Sequence, residues 1–284
     1  MTTSKSSNLF FPRPFLKWAG GKSQLITQYK PYFPETFKTY YEPFLGGGAI
    51  FFHLLPEKAI LTDINPELIN CYLCVKNQVE EVIELLETHQ YNHALSPKDY
   101  YYKMRRLWGE GTPVERAARL IYLNKTCYNG LYRENCQGKF NVPIGNYKSP
   151  KICNPELLRS VSVALKKAKI AVSSFENVLY SAKTSDDFVY FDPPYHPLSS
   201  TSNFTAYSRY NFNESKQIKL RDTFAELANR GVKVMLSNSD CLFIRELYKD
   251  FNIYEISATR AINSNGKKRG KISEILVTSY ERAI

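Results

Sequence analysis

No run of about eighteen apolar residues occurs in the sequence, so nothing in it reads as a membrane-spanning helix. Histidine is scarce. His53, His89, His93 and His196 form no ligand cluster, and no second Cys or His pair falls at zinc spacing from the one CxxC, so no metal is expected. The only CxxC, Cys71 to Cys74, lies in an apolar helical stretch and reads as two core thiols. The six cysteines are scattered through a chain large enough to fold without staples, which favours reduced thiols over a disulfide framework. Met1 to Asn8 is polar, with no apolar stretch behind a basic start, so no secretory leader is expected and the cytoplasm is the expected compartment. Internal repeats and low-complexity tracts are also lacking.

Acidic residues are in short supply. Against 38 Lys and Arg there are 27 Asp and Glu, a net charge of +11 that favours a polyanionic partner, nucleic acid before acidic lipid. The excess is local. Lys98 to Lys151 holds eleven basic and four acidic residues, and Arg260 to Lys271 holds five basic residues and no acid. The first stretch also interleaves nine aromatics, among them Tyr100, Tyr101, Tyr102, Trp108, Tyr128 and Tyr132, as a surface that binds phosphates and stacks bases requires. The competing reading is a solvated helical face whose tyrosines are buried.

Short β-rich runs alternate with helical patterns. Strands are expected at residues 39–44, 59–62, 169–173, 188–191, 232–236, 254–257 and 275–278. Helices are expected at 66–87, 97–107, 113–123, 155–167, 214–229 and 241–248, several opening with Pro in the first turn. Between about Glu67 and Cys153 no convincing strand occurs, whereas both flanks carry the rhythm of an open α/β sheet. The pattern predicts an α/β domain from residues 1–66 and 154–284, interrupted by a helical, basic insertion at 67–153.

Three segments at strand ends carry the chemistry. Glu42-Pro43-Phe44-Leu45-Gly46-Gly47-Gly48 follows the first strand, and its glycines let the backbone pass close to a ligand that faces the next helix. It departs from the dinucleotide fingerprint, since Phe51 stands where the third glycine belongs. Asp63, roughly 20 residues after the glycine turn, ends the second strand where a carboxylate accepts ribose hydroxyls. The bland alternative makes it a helix N-cap, a role open to Asn65 as well. Third, Phe188-Val189-Tyr190-Phe191 runs into Asp192-Pro193-Pro194-Tyr195, a rigid loop carrying an unpaired acid and an exposed ring beyond the sheet.

Together with Phe15-Leu16-Lys17-Trp18-Ala19-Gly20-Gly21-Lys22, these segments closely resemble the amino-methylating DNA methyltransferases, in particular the adenine-specific group that includes the GATC-methylating enzymes. The likeness extends in the family's order through Asp63-Ile64-Asn65, Tyr128-Asn129-Gly130-Leu131-Tyr132-Arg133, Phe140-Asn141-Val142-Pro143, Asn203 to Tyr207 and Leu236-Ser237-Asn238. It covers nearly the whole chain from about Phe15 to Tyr280.

The resemblance implies an open, mostly parallel Rossmann-like methyltransferase sheet with helices on both faces and an inserted, mainly helical DNA-recognition domain. S-adenosylmethionine is the implied cofactor, held by Trp18, Lys22, Glu42, Phe44, Gly46, Gly48, Asp63, Phe175 and Asp192. Asp192, Pro193 and Tyr195 are the implied catalytic set. Lys17, Tyr128, Asn129, Leu131, Arg133 and Pro143 are implied to contact DNA, with GATC the expected site, and Lys267, Lys268 and Arg269 to track phosphates. Two positions depart from the pattern: Asn146 replaces a frequent Arg, and Ser174 replaces a frequent acid. The implied partner is double-stranded DNA, read by a monomer, beside a companion restriction endonuclease or alone. Three rivals are weaker. A P-loop at Gly21-Lys22-Ser23 would need a glycine where Leu16 stands, a cytosine-N4 enzyme more usually shows Ser-Pro-Pro-Tyr, and a glutamine-methylating enzyme Asn-Pro-Pro-Tyr. A DNA-binding module with a dead catalytic face is the remaining alternative.

Overall fold

The computed structural model describes residues 11–198, 212–259 and 271–282. Seven strands form one sheet: β1 (Thr39–Glu42), β2 (Ala59–Asp63), β3 (Ala168–Val172), β4 (Asp187–Phe191), β5 (Lys233–Ser239), β6 (Asn252–Thr259) and β7 (Lys271–Thr278). Their order is β3-β2-β1-β4-β5-β7-β6. The first five run parallel, and β7 lies antiparallel between β5 and β6. The chain reverses its direction of travel between β1 and β4, and in such sheets ligands bind beyond the carboxyl ends of the strands flanking that point.

Period two decides which face each side chain serves. In β4, Phe188 and Tyr190 enter one core while Val189 and Phe191 enter the other; in β1, Tyr40 and Tyr41 divide the same way. All five residues of β4 are buried, as expected of a central parallel strand covered on both faces. One face is covered by α8 (Glu214–Asn229), α9 (Leu242–Leu247) and the turn Phe175–Tyr180. The other is covered by the segment from Phe15 through α1 (Ile26–Tyr29), by α2 (Ala49–Leu54), and by α3 (Pro66–Asn77), which touches both β2 and β3.

Behind α3 stand α4 (Val79–Leu95), α5 (Pro97–Arg106), α6 (Pro113–Thr126) and α7 (Pro155–Leu165). Their apolar residues are continuous with the core beneath the sheet. Local chemistry sets their starts. Asn65 caps α3 by accepting from Glu67 and Leu68 amides, and Thr112 and Glu115 close a reciprocal capping box on α6. Pro97, Pro113 and Pro155 occupy first-turn positions where a missing N–H costs nothing.

The helix expected over 66–87 is two helices. Gln78 breaks it at φ −136°, ψ 43°, and its amide closes α3 on the Cys74 carbonyl at 2.8 Å. No Gly or Pro marks the break; α3 and α4 each pack on α6, and that packing sets it. Cys71, Cys74, Cys127 and Cys153 are buried free thiols. Among the described residues no helix is long and apolar enough to cross a membrane.

Candidate active site

The ends of β1, β2 and β4 bring three acids to the switch point. Glu42 closes β1, Asp63 closes β2 and Asp192 follows β4. With Asn65 serving as the cap, Asp63 is free for another task. Its two oxygens accept the Gly46 amide at 3.1 Å and the Asn65 amide at 3.0 Å, tying the glycine loop to the end of β2. Burial raises the Asp63 pKa, and the surrounding backbone N–H donors oppose that rise.

Gly46 and Gly48 are left-handed, at φ +47° and +67°. At Gly46 a Cβ would stand 2.8 Å from Trp18 Cδ1, so the indole lies directly on the loop backbone. Gly46→Ala therefore combines unfavourable φ with an overlap, and should lower unfolding free energy by about 1–3 kcal/mol. A denaturant melt with an unchanged midpoint would show that the loop and indole separate freely. Next to Gly46, Phe44 stacks on Phe175 at 5.4 Å between centroids, a contact between the ends of β1 and β3.

Asp192 is not the unpaired acid expected from the sequence. Lys22 Nζ lies 2.8 Å from its Oδ1, and Ser237 Oγ donates to the same oxygen at 2.9 Å. Lys22 is only 3% exposed, and its ammonium also donates to the Gly20 carbonyl at 2.6 Å and stands 4.8 Å over the Tyr195 ring. Nor is Tyr195 a free ring, since it is partly buried and its hydroxyl donates to Glu274 Oε2 at 2.8 Å. The proline loop is fixed from behind: Gln217 donates to the Pro194 carbonyl at 2.9 Å, and Asn238 Oδ1 accepts the His196 amide at 3.2 Å.

Ser237, Glu274, Gln217 and Asn238 carried no assigned role in the sequence reading. Ser237 and Asn238 were detectable, because polar residues that end a buried strand need partners, as Asp192 does. Tyr29 was not detectable. Its ring packs on Tyr190 and its fully buried hydroxyl has no partner among the described residues, with burial and the charges of Glu274 and Asp192 raising its pKa.

A second group forms on a hairpin after α6, pinned by the antiparallel bridges Cys127 to Ile144 and Glu134 to Phe140. It carries Tyr128, Asn129, Leu131, Arg133 and Pro143. Asn129 and Gly130 adopt left-handed φ of 54° and 65°, a turn that leaves Tyr128 50% exposed. The Tyr128 amide donates to the Pro143 carbonyl at 2.9 Å, and Arg133 Nε donates to Asn141 Oδ1 at 2.7 Å. Lys17 joins them, because Asn124 binds its backbone N–H and C=O, each at 2.7 Å. The Lys17 ammonium lies 4.3 Å over the Tyr147 ring. Lys267, Lys268 and Arg269 lie outside the described residues.

The aromatic surface expected of the basic stretch is mostly interior. Tyr101, Trp108, Tyr122 and Phe140 are buried, whereas Tyr128 and Tyr147 are exposed. Thus the helical basic stretch spends most of its rings on its own core and presents the rest on the hairpin.

Acids gathered at the switch point of a mostly parallel α/β sheet, beside a hairpin that bears exposed basic and aromatic side chains, have the form of an α/β enzyme site. The profile of the D12 class N6 adenine-specific DNA methyltransferases matches residues 18–262, and the chain belongs to that family. A type II methyltransferase of Lactococcus lactis subsp. cremoris is 48% identical over 275 residues, covering 94% of this chain and 95% of that protein. A type II methyltransferase of Methanocaldococcus jannaschii is 45% identical, covering 94% and 99%. The DNA adenine methylase of Escherichia coli K12 is 37% identical, covering 93% and 94%. The enzyme is therefore an adenine-specific DNA methyltransferase that uses a methyl donor and acts on DNA.

Proposed function

We propose that the enzyme transfers the methyl group of S-adenosylmethionine to N6 of an adenine flipped out of duplex DNA, within GATC. The observation that carries this reading is Asp192 at the switch point, between a glycine loop closed on Asp63 and the Tyr195 ring. Residues 67–153 serve as the target-recognition insertion and residues 1–66 with 154–284 as the cofactor domain. In the cytoplasm the enzyme acts as a monomer on duplex DNA, beside a restriction endonuclease or alone.

The residues present suit the donor. Trp18 covers the Gly46 backbone, Phe44 and Phe175 stack on one another beyond the ends of β1 and β3, and Asp63 stands at the tip of β2 between them for ribose hydroxyls. Glu42, Gly48 and Lys22 complete the set. When bound, S-adenosylmethionine supplies an electrophilic methyl group on a sulfonium.

The protein's task is to make a poor nucleophile better. The lone pair of an exocyclic adenine amine is delocalised into the ring. Accepting its two N–H hydrogens on the Asp192 carboxylate and the Pro193 carbonyl bends the nitrogen toward tetrahedral geometry and directs the lone pair outward. Tyr195 stacks on the base, its ring held by Glu274. Removing the base from the helix costs a few kcal/mol, which the exposed Tyr128 ring offsets by entering the stack.

Recognition falls to Lys17, Asn129, Leu131, Arg133 and Pro143, while Lys267, Lys268 and Arg269 meet phosphates. Arg133→Ala should cost about 1–3 kcal/mol of discrimination at one base pair and little general affinity. An unchanged preference among single-base variants of the site would remove Arg133 from the reading set.

The direct test is transfer of labelled methyl from S-adenosylmethionine to short duplexes containing GATC or its variants, followed by nucleoside analysis. N6-methyladenine confined to GATC is the expected product. Label in adenine elsewhere would discard the recognition assignment, label in cytosine would discard the target base, and no label would discard catalysis.

A further inference from the structure

One aromatic residue joins the two halves of the site. The Tyr132 ring lies 5.2 Å from that of Trp18, which also packs on the glycine loop, where a Cβ on Gly46 would reach Trp18 Cδ1 at 2.8 Å. On its far side Tyr132 meets Trp108 at 5.9 Å and Phe140 at 6.1 Å, and its hydroxyl donates to Glu134 Oε1 at 2.5 Å. Trp108 Nε1 donates to the same oxygen at 3.2 Å, so one carboxylate oxygen ties the Tyr132 hydroxyl to Trp108. In sequence Tyr132 stands between Leu131 and Arg133.

The segment below it repeats the junction. Lys17 and Trp18 are adjacent, yet Lys17 packs on the hairpin, where a Cβ at Gly130 would overlap its stem, while Trp18 packs on the cofactor loop. Asn124 fixes the segment by binding both Lys17 backbone groups and donating to the Gly130 carbonyl at 3.1 Å. A shift of the glycine loop must move the Trp18 indole, because no space separates them. A shift of the indole must then be felt by Tyr132, between the two residues assigned to base reading.

We propose that Tyr132 is a positioning residue that couples the cofactor loop to the recognition hairpin, so that filling the cofactor site selectively tightens binding of the target duplex. This rests on the cofactor and hairpin roles proposed above. By linkage the coupling is reciprocal, and target DNA tightens the cofactor by the same factor. The ring face transmits the coupling, through Trp18; the Glu134 bond keeps the ring in place.

The chain's two tryptophans, Trp18 and Trp108, both flank Tyr132, so intrinsic fluorescence reports S-adenosylhomocysteine binding without turnover. Anisotropy of labelled GATC and scrambled duplexes, with and without S-adenosylhomocysteine, then gives the coupling. In the wild type the ligand should favour GATC over the scrambled duplex by about tenfold or more. In Tyr132→Ala, and in Tyr132→Leu, which keeps apolar volume without the ring face, that factor should fall below about twofold. Scrambled-duplex affinity and DNA-free S-adenosylhomocysteine affinity should stay within about twofold, and Tyr132→Phe should restore the coupling. Undiminished coupling in both Ala and Leu variants, or none in a wild type that binds S-adenosylhomocysteine and methylates GATC, would overturn the proposal alone, whereas methylation at another site would overturn the recognition reading first. A wild type that does not bind S-adenosylhomocysteine would overturn the cofactor reading and this proposal with it.

Discussion

Asp192→Ala is expected to lower methyl transfer by at least roughly a thousandfold while leaving duplex affinity within a few-fold. Among the described residues the carboxylate is the one charged acceptor at the end of β4, and the hairpin proposed to meet DNA is built from other elements. The substitution does more than remove an acceptor. It leaves the Lys22 ammonium, 3% exposed, with the Gly20 carbonyl in place of an ion pair, and a buried charge stripped of its partner costs several kcal/mol. Asp192→Asn separates the effects. It keeps the side chain's shape and one acceptor for Ser237, so its melting temperature should lie between those of Ala and wild type, while turnover stays at least about a hundredfold down. Single-turnover transfer measured beside duplex binding checks both, and transfer near the wild-type rate in either variant would remove Asp192 from the chemistry.

The ion pair behind this prediction marks the limit of what local sequence reveals. Asp192 itself was legible, because a central parallel strand is an apolar run and Phe188 to Phe191 ends abruptly in an acid. That Lys22 would neutralise it, or that Glu274 would hold Tyr195 from 79 positions away, has no local signature; the sheet order creates both contacts. Helix starts were legible wherever Pro, Thr or Asn supplies first-turn chemistry. The break at Gln78 was not, because neither Gly nor Pro stands there and tertiary packing on α6 decides it. In the basic stretch the alternative of buried tyrosines holds for most of the rings. Composition counts aromatic rings, whereas burial in the helical core decides which of them meet solvent, and only the strained Asn129-Gly130 turn puts Tyr128 outside.

Glu42 should make both stability and cofactor affinity depend on pH around neutrality. Burial raises its pKa from 4.5 to about 8; the nearby charge of Asp192 adds to the rise, and bonds from the Tyr40 hydroxyl and the Phe51 amide oppose it. In the unfolded chain the same group titrates near 4.5. The folded state therefore binds the extra proton between those values, so this contribution to stability is complete below about pH 4.5 and is lost as pH rises through 8. The span corresponds to roughly 4–5 kcal/mol. Glu42→Gln mimics the protonated acid and still accepts from Tyr40 and Phe51. Its stability should match the wild type near pH 5 and exceed it by several kcal/mol near pH 9, as read from denaturant melts across that range. Affinity should move the other way. If Glu42 meets the cationic end of S-adenosylmethionine as a carboxylate, binding must first expel its proton. Wild-type affinity should then rise about tenfold per pH unit between 6 and 7.5 and level off above 8, whereas the Gln variant loses that limb. A wild type whose affinity is flat with pH, beside a Gln variant that gains stability at high pH, would keep the buried acid and take Glu42 out of cofactor binding.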